Sequence, residues 1–356
     1  MPPLPLRDLW FLTGPTASGK TAVGVELARR VGAEIVSMDS MALFRGMDIG
    51  TAKPSAEERR AVAHHLIDVL SPHEDFSLAQ YVQAARQAVE DIRARGREVL
   101  FVGGTPLYLK GLLRGIFEGP SADWPLRRAI QQQAEASGPG SLHQRLAEVD
   151  PEAARRLHPN DTRRLIRALE VFEKTGRPIS ELQRQFDTAT PADQCRVFVL
   201  DWPTPELHAR IDRRVDGMFA AGLVEEVRGL LAGKVAGTGH HDRMVGVPSA
   251  EGGEDAADGT RSVPATLVPH PLSKTAQQAV GYCEVIEHLE GRRDLAETVE
   301  LVKIHTRQLA KRQRTWFRSL SECRHVPLSG PIEPDTIAAG IAEIGNTVPP
   351  KNGTTR

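Results

Sequence analysis

The sequence predicts an α/β fold, a parallel sheet flanked by helices, with an inserted all-helical module. Short apolar runs typical of buried strands alternate with helical stretches over residues 9–102, and such alternation favours a parallel sheet covered on both faces. From about residue 121 to residue 190 the pattern is helical and almost free of β-branched runs. We expect a core domain of residues 1–120 and 195–330, a helical insertion of 121–194, a flexible insertion of 234–273 and a disordered tail of 345–356.

The individual strands are predicted where short apolar runs end in glycine or in polar residues. We expect strands at residues 9–13, 33–38, 98–102 and 196–200, and a shorter one at 66–70. Helices are expected after Gly19, from Ser77 to about Arg95, and at residues 161–174, 206–220 and 223–231. Ser77 and Gln80 have the spacing of a capping box, which fixes the start of the second of these helices.

The composition excludes several classes of protein. Of 356 residues, 40% are hydrophobic and 26% are charged, which is enough apolar surface to rule out disorder throughout. The formal net charge of -1 argues against a surface coated in positive charge, although a local patch is enough to bind nucleic acid. Cys195, Cys283 and Cys323 form no C-x-x-C pair, so neither a disulfide scaffold nor a thiolate metal site is expected. We find no apolar run of about 18 residues and expect a cytoplasmic protein without membrane contact.

A phosphate-binding motif follows the first predicted strand. It reads Gly14-Pro15-Thr16-Ala17-Ser18-Gly19-Lys20-Thr21 and matches G-x-x-x-x-G-K-[ST]. Its glycines let successive N–H groups point at one anion, the following helix presents its positive end, Lys20 adds a cation, and the Thr21 hydroxyl can ligate Mg²⁺. The motif therefore indicates a P-loop NTPase-like core that binds a di- or triphosphate with Mg²⁺, and it leaves the ligand and the reaction open.

Two further polar residues are expected at the same edge of the sheet. Asp39 follows the second predicted strand and Thr105 follows the strand at 98–102, and ligands of open α/β sheets bind at the carboxyl ends of strands. Three interpretations of Asp39 remain open at this point. It is a metal-linked carboxylate as in a nucleotide hydrolase, a general base for an incoming nucleophile, or a turn residue before Ser40.

A series of ordered motifs makes a family resemblance specific. After GPTASGKT come IVSMDSMALFRGMDIGTAKP at 35–54, HHLIDVL at 64–70, FVGGTPLYLKGLLRG at 101–115 and HPNDTRRLIRALEVFEKTG at 158–176. AVGY at 279–282 and RQLAKRQ at 307–313 continue the series. It closely resembles the bacterial tRNA dimethylallyltransferases of the tRNA isopentenyltransferase family, over nearly the whole chain except residues 235–270 and the tail.

The resemblance implies a reaction and a set of roles. A dimethylallyl group would pass from dimethylallyl diphosphate to N6 of the adenosine 3′-adjacent to the anticodon of tRNA, giving N6-isopentenyladenosine and pyrophosphate. Asp39 falls on the family's catalytic position and would be the general base, while Thr105 falls on a contact near the reacting centre. Lys20, Thr21 and Mg²⁺ would stabilise the departing pyrophosphate, and Arg210 or Arg214 resembles further basic help there.

The resemblance also implies contacts with the anticodon stem-loop of tRNA, and we expect the protein to be a monomer. The positions are Asp39, Ser40, Met41, Ala42, Thr105, Arg127, Arg163, Arg164, Leu165, Ile166, Arg167, Gln278, Gly281 and Tyr282. The chain departs from the family pattern at Cys283, where a basic residue is usual, and at Gln277 and Gln278, where an arginine often precedes the Gly-Tyr pair.

A second basic surface is predicted near the C-terminus. Lys303, Arg307, Lys311, Arg314 and Arg318 fall within an arc of roughly 80° on a helix. This stripe predicts a track for the RNA phosphate backbone, against the alternative of an ordinary solvated helix face.

Three other functions share parts of this pattern. A P-loop small-molecule kinase that uses ATP would share residues 14–21 and Asp39, but it would not account for the helical insertion. A prenyltransferase acting on free AMP or ADP would share the core and have little use for a large RNA-binding module. An RNA-binding protein without catalysis would leave the phosphate motif and Asp39 unexplained.

Overall fold

The computed structural model describes residues 4, 8–117, 119–184, 189–233 and 272–348. All but the last two residues of the predicted insertion at 234–273, and residues 349–356 of the predicted tail, lie outside the described residues. The chain divides into two compact units, a smaller one of Met1–Leu4 and Lys110–Ala189 and a larger one of Pro5–Leu109 and Thr190–Arg356.

The larger unit is built on a sheet in which every pairing is parallel, which confirms the predicted α/β architecture. Its strands are β1 (Trp10–Thr13), β2 (Ala33–Ser37), β3 (His64–His65), β4 (Glu98–Val102), β5 (Arg196–Asp201) and β6 (Arg324–Pro327). They are arranged in the order β3-β2-β4-β1-β5-β6. Strand β1 thus lies between β4 and β5, and the chain leaves its carboxyl end at the point where the strand order reverses, which is where α/β sheets bind ligands.

The helices follow the sequence periodicity. In chain order they are α1 (Lys20–Val31), α2 (Ala56–Ala61), α3 (Leu78–Ala94), α4 (Pro106–Arg114), α5 (Trp124–Ser137), α6 (Ser141–Val149), α7 (Pro151–Arg156), α8 (Thr162–Thr175), α9 (Ile179–Leu182), α10 (Thr204–Ala220), α11 (Leu223–Leu231), α12 (Lys274–Gln277), α13 (Tyr282–Leu289), α14 (Leu295–Arg318) and α15 (Pro334–Asn346). The capping box of Ser77 and Gln80 at the start of α3 is confirmed. Across the described ranges, no helix combines the length and apolar character that a bilayer crossing requires.

Helix α15 was not predicted, and it closes one face of the sheet. Ala338 and Ile341 pack into the same cluster as Trp10 of β1. A Cβ atom at Gly345 would lie 2.0 Å from the Trp10 ring, so only glycine allows this approach. The Gly345 carbonyl also accepts a 2.9 Å hydrogen bond from Arg196 Nε. The predicted disordered tail therefore begins too early, because the residues at its start are ordered against the core.

The predicted strand at 66–70 is wrong. Of residues 64–70, only His64 and His65 pair with β2. A single bridge joins Leu70 to Phe44. Leu66 and Asp68 have φ angles of 59° and 58°, a left-handed conformation that interrupts an extended chain.

The smaller unit is an all-helical bundle with its own core. Leu146 on α6, Leu165 and Leu169 on α8, and Ile130 on α5 are buried together. Asp161 caps α8 by accepting the Arg164 N–H, which confirms the helix expected at 161–174.

Candidate active site

The phosphate loop, residues 14–21, leaves β1 and enters α1 at the carboxyl edge of the sheet. Gly14 has a φ of 147°, and a Cβ atom there would lie 2.8 Å from the Leu200 carbonyl oxygen. Gly19 caps α1 with a φ of 89°. The N–H groups of the first turn of a helix have no intrahelical acceptor, so those of Lys20 and Thr21 are available to an anion. The loop is therefore shaped as an anion cradle.

Side chains from a distant part of the chain hold this loop in place. Arg210 Nε donates a 2.8 Å hydrogen bond to the Ala17 carbonyl, and Trp202 Nε1 donates one of 3.1 Å to the Ser18 carbonyl. The Arg210 guanidinium also lies 4.6 Å from the centre of the Trp202 ring. Ala17 has a φ of 61°, so these two bonds stabilise a loop conformation that alanine seldom adopts.

Three arginines of α10 line one pocket with Ala17 and Gly19: Arg210, Arg213 and Arg214. Their i, i+3, i+4 spacing places them on the same face of the helix. Arg214 donates a 3.3 Å hydrogen bond to the Thr51 carbonyl, and burial lowers its pKa, with Asp39 acting in the opposite direction. Arg213 was not predicted as a site residue, although its spacing from Arg210 is visible in the sequence.

The pKa of Lys20, in the phosphate loop, is far below its ordinary value. Burial lowers its pKa to about 7, the Arg214 cation acts in the same direction, and the Asp39 carboxylate opposes both. The three groups therefore share one environment in the larger unit. A polyanion bound there would favour the charged form of Lys20 and restore its pKa towards the ordinary value.

The ends of β2 and β4 bring Asp39 and Thr105 together. The Met38 carbonyl accepts a 3.2 Å hydrogen bond from the Thr105 N–H, and a Cβ atom at Gly103 would lie only 2.1 Å from that carbonyl oxygen. The Thr105 hydroxyl accepts the Ser40 N–H at 3.0 Å. Asp39 Oδ1 accepts the Met41 N–H at 2.9 Å.

An aromatic pair lies close to this carboxylate. The rings of Tyr81 and Tyr108 stack with their centres 3.8 Å apart, and the Tyr81 hydroxyl donates to the Ser37 carbonyl at 3.0 Å. Burial raises the pKa of Tyr108, and the Asp39 carboxylate adds to that increase. Both phenols therefore remain protonated beside Asp39 at neutral pH.

The residues of this site could hold a magnesium ion only together with a bound diphosphate. Among the described residues, no group of three or more His, Cys, Asp or Glu side chains could hold a metal ion by itself. Mg²⁺ needs few protein ligands when substrate phosphates and water supply the rest. The Thr21 hydroxyl, in the first turn of α1, is the donor that such an ion requires beside a bound diphosphate.

The positions after Asp39 that the resemblance linked to tRNA differ in exposure. Ser40 and Met41 are half-buried, whereas Ala42 is buried. The Ala42 carbonyl accepts the Asp68 N–H at 3.1 Å. The side chain of Ala42 therefore packs inside the larger unit, and its contact with tRNA stays a prediction.

Two of the arginines that the resemblance linked to tRNA are engaged inside the smaller unit. Arg127 donates to both carboxylate oxygens of Glu170, at 3.0 and 2.9 Å, and Arg167 donates to the same group at 2.5 Å. The Asp123 N–H is a fourth donor at 2.7 Å. The Glu170 side chain is wholly buried, so this cluster holds the helices together.

The other predicted tRNA contacts on α8 lie on two different faces of the helix. Leu165 and Ile166 are buried in the bundle, and their contact with tRNA stays a prediction. Arg163 and Arg164 are exposed, and Arg164 pairs with Asp161 at 3.4 Å. The helix periodicity accounts for this division, because the family motif runs through both faces of α8.

Tyr282, another predicted tRNA contact, is engaged inside the larger unit. Its side chain is fully buried, and its hydroxyl donates a 2.5 Å hydrogen bond to Glu226. Glu226 accepts the N–H groups of Asp48, Ile49 and Gly50 as well, at 3.0, 2.7 and 3.3 Å. Tyr282 therefore anchors the 48–50 turn from within.

Its neighbours in the segment split in the same way. Gly281, with a φ of 94°, is buried and donates to Glu284 at 2.7 Å, whereas Gln278 is exposed. Of the three positions in this segment, only the Gln278 side chain is available to a partner.

The predicted basic stripe on α14 is largely neutralised. Lys303 pairs with Asp216 at 2.8 Å, and Arg307 donates to Asp212 at 3.0 Å. Arg314 and Arg318 contact Asp201 at 3.2 and 3.6 Å. Only Lys311 of the five is exposed without an ion pair in the described part of the chain. These acidic partners come from β5 and α10, and a continuous phosphate track stays a prediction.

Comparison with known proteins gives consistent results. A family model described as IPP transferase matches residues 42–320. The tRNA dimethylallyltransferase of Rhodopirellula baltica is 44% identical over 326 residues, covering 89% of this chain and 87% of the relative. That of Geobacter metallireducens is 45% identical over 322 residues, covering 90% and 93%.

Solved structures agree. The tRNA isopentenylpyrophosphate transferase of Bacillus halodurans superposes with a TM-score of 0.62 at 32% identity, covering 96% of this chain and 97% of that one. A eukaryotic dimethylallyltransferase acting on tRNA superposes with a TM-score of 0.67 at 24% identity, covering 90% of this chain and 73% of that one, and supports the fold.

Proposed function

This chain belongs to the IPP transferase family, and we propose that it is a tRNA dimethylallyltransferase. It transfers a dimethylallyl group from dimethylallyl diphosphate to N6 of the adenosine 3′-adjacent to the anticodon. One observation supports this proposal above all: the phosphate loop and the Asp39–Thr105 pair lie at the same edge of the sheet. There the charges of both Asp39 and Arg214 act on the pKa of Lys20.

The phosphate loop is suited to a leaving pyrophosphate. The C1–O bond of the donor breaks and its electron pair passes to the bridging oxygen, so negative charge grows on the diphosphate. The first-turn N–H groups of α1, together with Lys20, Arg210 and Arg214, stabilise that growing charge more than they stabilise the intact donor. When bound beside Thr21, Mg²⁺ neutralises part of the same charge.

Asp39 is suited to the acceptor amine. As the new bond forms between N6 and C1, N6 loses a proton, and the Asp39 carboxylate is the base that receives it. The hydrogen bond from Ser40 N–H to the Thr105 hydroxyl fixes the turn that carries Asp39. A stacked adenosine cannot reach such a group, so the base is flipped out of the anticodon loop.

Binding of the tRNA is assigned to exposed polar side chains. Arg163, Arg164, Lys311 and Gln278 are exposed, and three of them are cationic. Cations bind the phosphate backbone without reading its sequence. We propose that the protein acts as a monomer in the cytoplasm, where tRNA is modified.

The test is transfer of label from dimethylallyl diphosphate in the presence of Mg²⁺, offered unmodified tRNA or AMP as acceptor. We expect label in the tRNA at the adenosine next to the anticodon and none in AMP. Transfer to AMP alone would replace this proposal with a free-nucleotide prenyltransferase. Phosphate transfer from ATP without prenyl transfer would replace it with a kinase.

A further inference from the structure

Gln313 is a buried amide that was not predicted as a site residue. It lies on α14, and only 8% of its surface is exposed. Its Oε1 accepts the Thr16 N–H of the phosphate loop at 2.9 Å, and its Nε2 donates to the Gly104 carbonyl at 2.7 Å. One side chain thus joins the loop after β1 to the loop after β4.

The two partners of Gln313 match the hydrogen-bonding groups of an amide, because one is a donor and the other is an acceptor. A carboxamide offers an acceptor and a donor side by side, whereas a carboxylate of the same shape offers only acceptors. A Cβ atom at Gly104 would lie 3.0 Å from Gln313 Nε2 and 3.5 Å from the Gly14 carbonyl oxygen. The two loops and the amide are therefore in close contact, and a side chain added at Gly104 would displace the Gln313 amide.

Both ends of this bridge lead to proposed site residues. Thr16 lies in the loop assigned to the diphosphate. Gly104 precedes Thr105, whose hydroxyl accepts the N–H of Ser40, the neighbour of Asp39. A short series of hydrogen bonds thus runs from the diphosphate side to the acceptor side, and Gln313 is its central member.

We propose that Gln313 is a positioning residue that sets the separation between the diphosphate cradle and the Asp39–Thr105 pair. This inference rests on the proposed function. The new N6–C1 bond requires the amine and the departing oxygen on opposite sides of C1. A misplacement of about 1 Å costs on the order of 100-fold in rate.

The experiment compares wild type with Gln313→Ala, Gln313→Glu and a matched control, Gln308→Ala, on an exposed position of the same helix. Each variant is assayed with dimethylallyl diphosphate and tRNA for kcat, KM and the tRNA dissociation constant. A second readout is the fraction of donor lost to water, in which water attacks C1, the C1–O bond breaks, and dimethylallyl alcohol, pyrophosphate and a proton are released.

We expect Gln313→Ala to lower kcat by about 10- to 100-fold, with tRNA and donor affinities within about threefold of wild type and a larger fraction of donor hydrolysed. Gln313→Glu should also lower kcat, because two acceptors face each other at Gly104. The losses of Gln313→Ala and Thr105→Ala should be less than multiplicative when combined, because both act on one loop.

Three outcomes would overturn the inference: a kcat for Gln313→Ala equal to that of Gln308→Ala, an unchanged hydrolysed fraction, or an equal loss of rate and of both affinities, which a merely structural role would give. Wild-type enzyme that transfers nothing to tRNA would instead reject the proposed function, and this role with it.

Discussion

The Nζ atom of Lys20 donates a 2.7 Å hydrogen bond to the carbonyl oxygen of Pro15, inside the phosphate loop to which both residues belong. Burial lowers the pKa of this lysine to about 7. Near neutral pH the free enzyme therefore holds Lys20 partly uncharged, with its nitrogen turned to the loop. A bound diphosphate favours the ammonium form and raises that pKa.

The first prediction is a pH-dependent affinity for dimethylallyl diphosphate. Below pH 7 Lys20 is already protonated in the free enzyme, so the affinity should be flat there. Above it, binding must take up a proton, so the dissociation constant should rise by up to about tenfold per pH unit. Calorimetry in two buffers of different ionisation enthalpy measures that proton uptake.

Lys20→Arg is the control, because guanidinium does not titrate in this range. This variant should bind more weakly and show no rise of the dissociation constant between about pH 7 and 9. An unchanged rise would assign the titration to another group.

The second prediction concerns Arg163. It is exposed and makes no ion pair within the described residues, so Arg163→Ala should weaken tRNA binding at low salt and reduce the slope of log K against log salt by about one. Filter binding at several salt concentrations gives both quantities. Arg97→Ala, an exposed arginine of the larger unit, is the matched control and should leave the slope unchanged.

Equal slopes for wild type and Arg163→Ala would remove this residue from the tRNA interface. Equal losses in Arg163→Ala and Arg97→Ala would indicate a general charge effect instead.

The third prediction separates a structural from an RNA-binding role for Tyr282. Tyr282→Phe removes the hydroxyl that donates to Glu226 at 2.5 Å. The free energy of unfolding should fall by about 1.5–3 kcal/mol, the usual range for a hydrogen bond to a charged group. The affinity for tRNA should not change. Urea unfolding and tRNA titration measure the two effects, and weaker tRNA binding at unchanged stability would assign Tyr282 to the tRNA interface.

The sequence was sufficient for the architecture and for the phosphate loop. Strand periodicity and the G-x-x-x-x-G-K-T motif are local, so they predicted β1, β4, β5 and the anion cradle before α1. The placement of Asp39 and Thr105 at one edge followed from the parallel sheet alone. The strand and loop predictions hold because each depends on residues close together in the chain.

The features that the sequence did not predict are contacts between distant residues. The basic stripe on α14 was visible, but the partner Asp212 belongs to α10 and is visible only in the fold. Likewise Glu226 explains Tyr282, and Trp10 explains the order at Gly345. Gln313 carried no local signal, because an amide on an amphipathic helix is ordinary until its two partners are known.

The fourth prediction concerns Glu170, the acceptor shared by Arg127 and Arg167. Glu170→Ala leaves two guanidinium groups beside a cavity in the smaller unit. Loss of one partner of a buried ion cluster costs about 3–5 kcal/mol, so the urea midpoint of the smaller unit should fall. Glu181→Ala, which removes an exposed pair with Arg177, should change the unfolding free energy by less than about 0.5 kcal/mol. Equal effects of the two changes would contradict the assigned role of the cluster.

The most direct test of the account is single-turnover transfer of dimethylallyl to tRNA by Asp39→Asn, with both substrates saturating. If Asp39 is the base, the rate should fall by about 10²- to 10⁴-fold, while the tRNA dissociation constant stays within about threefold of wild type. Asp75→Asn, at an exposed carboxylate, should retain the wild-type rate. A rate for Asp39→Asn within about threefold of wild type would contradict the role of Asp39 as the base, because a base contributes far more than that.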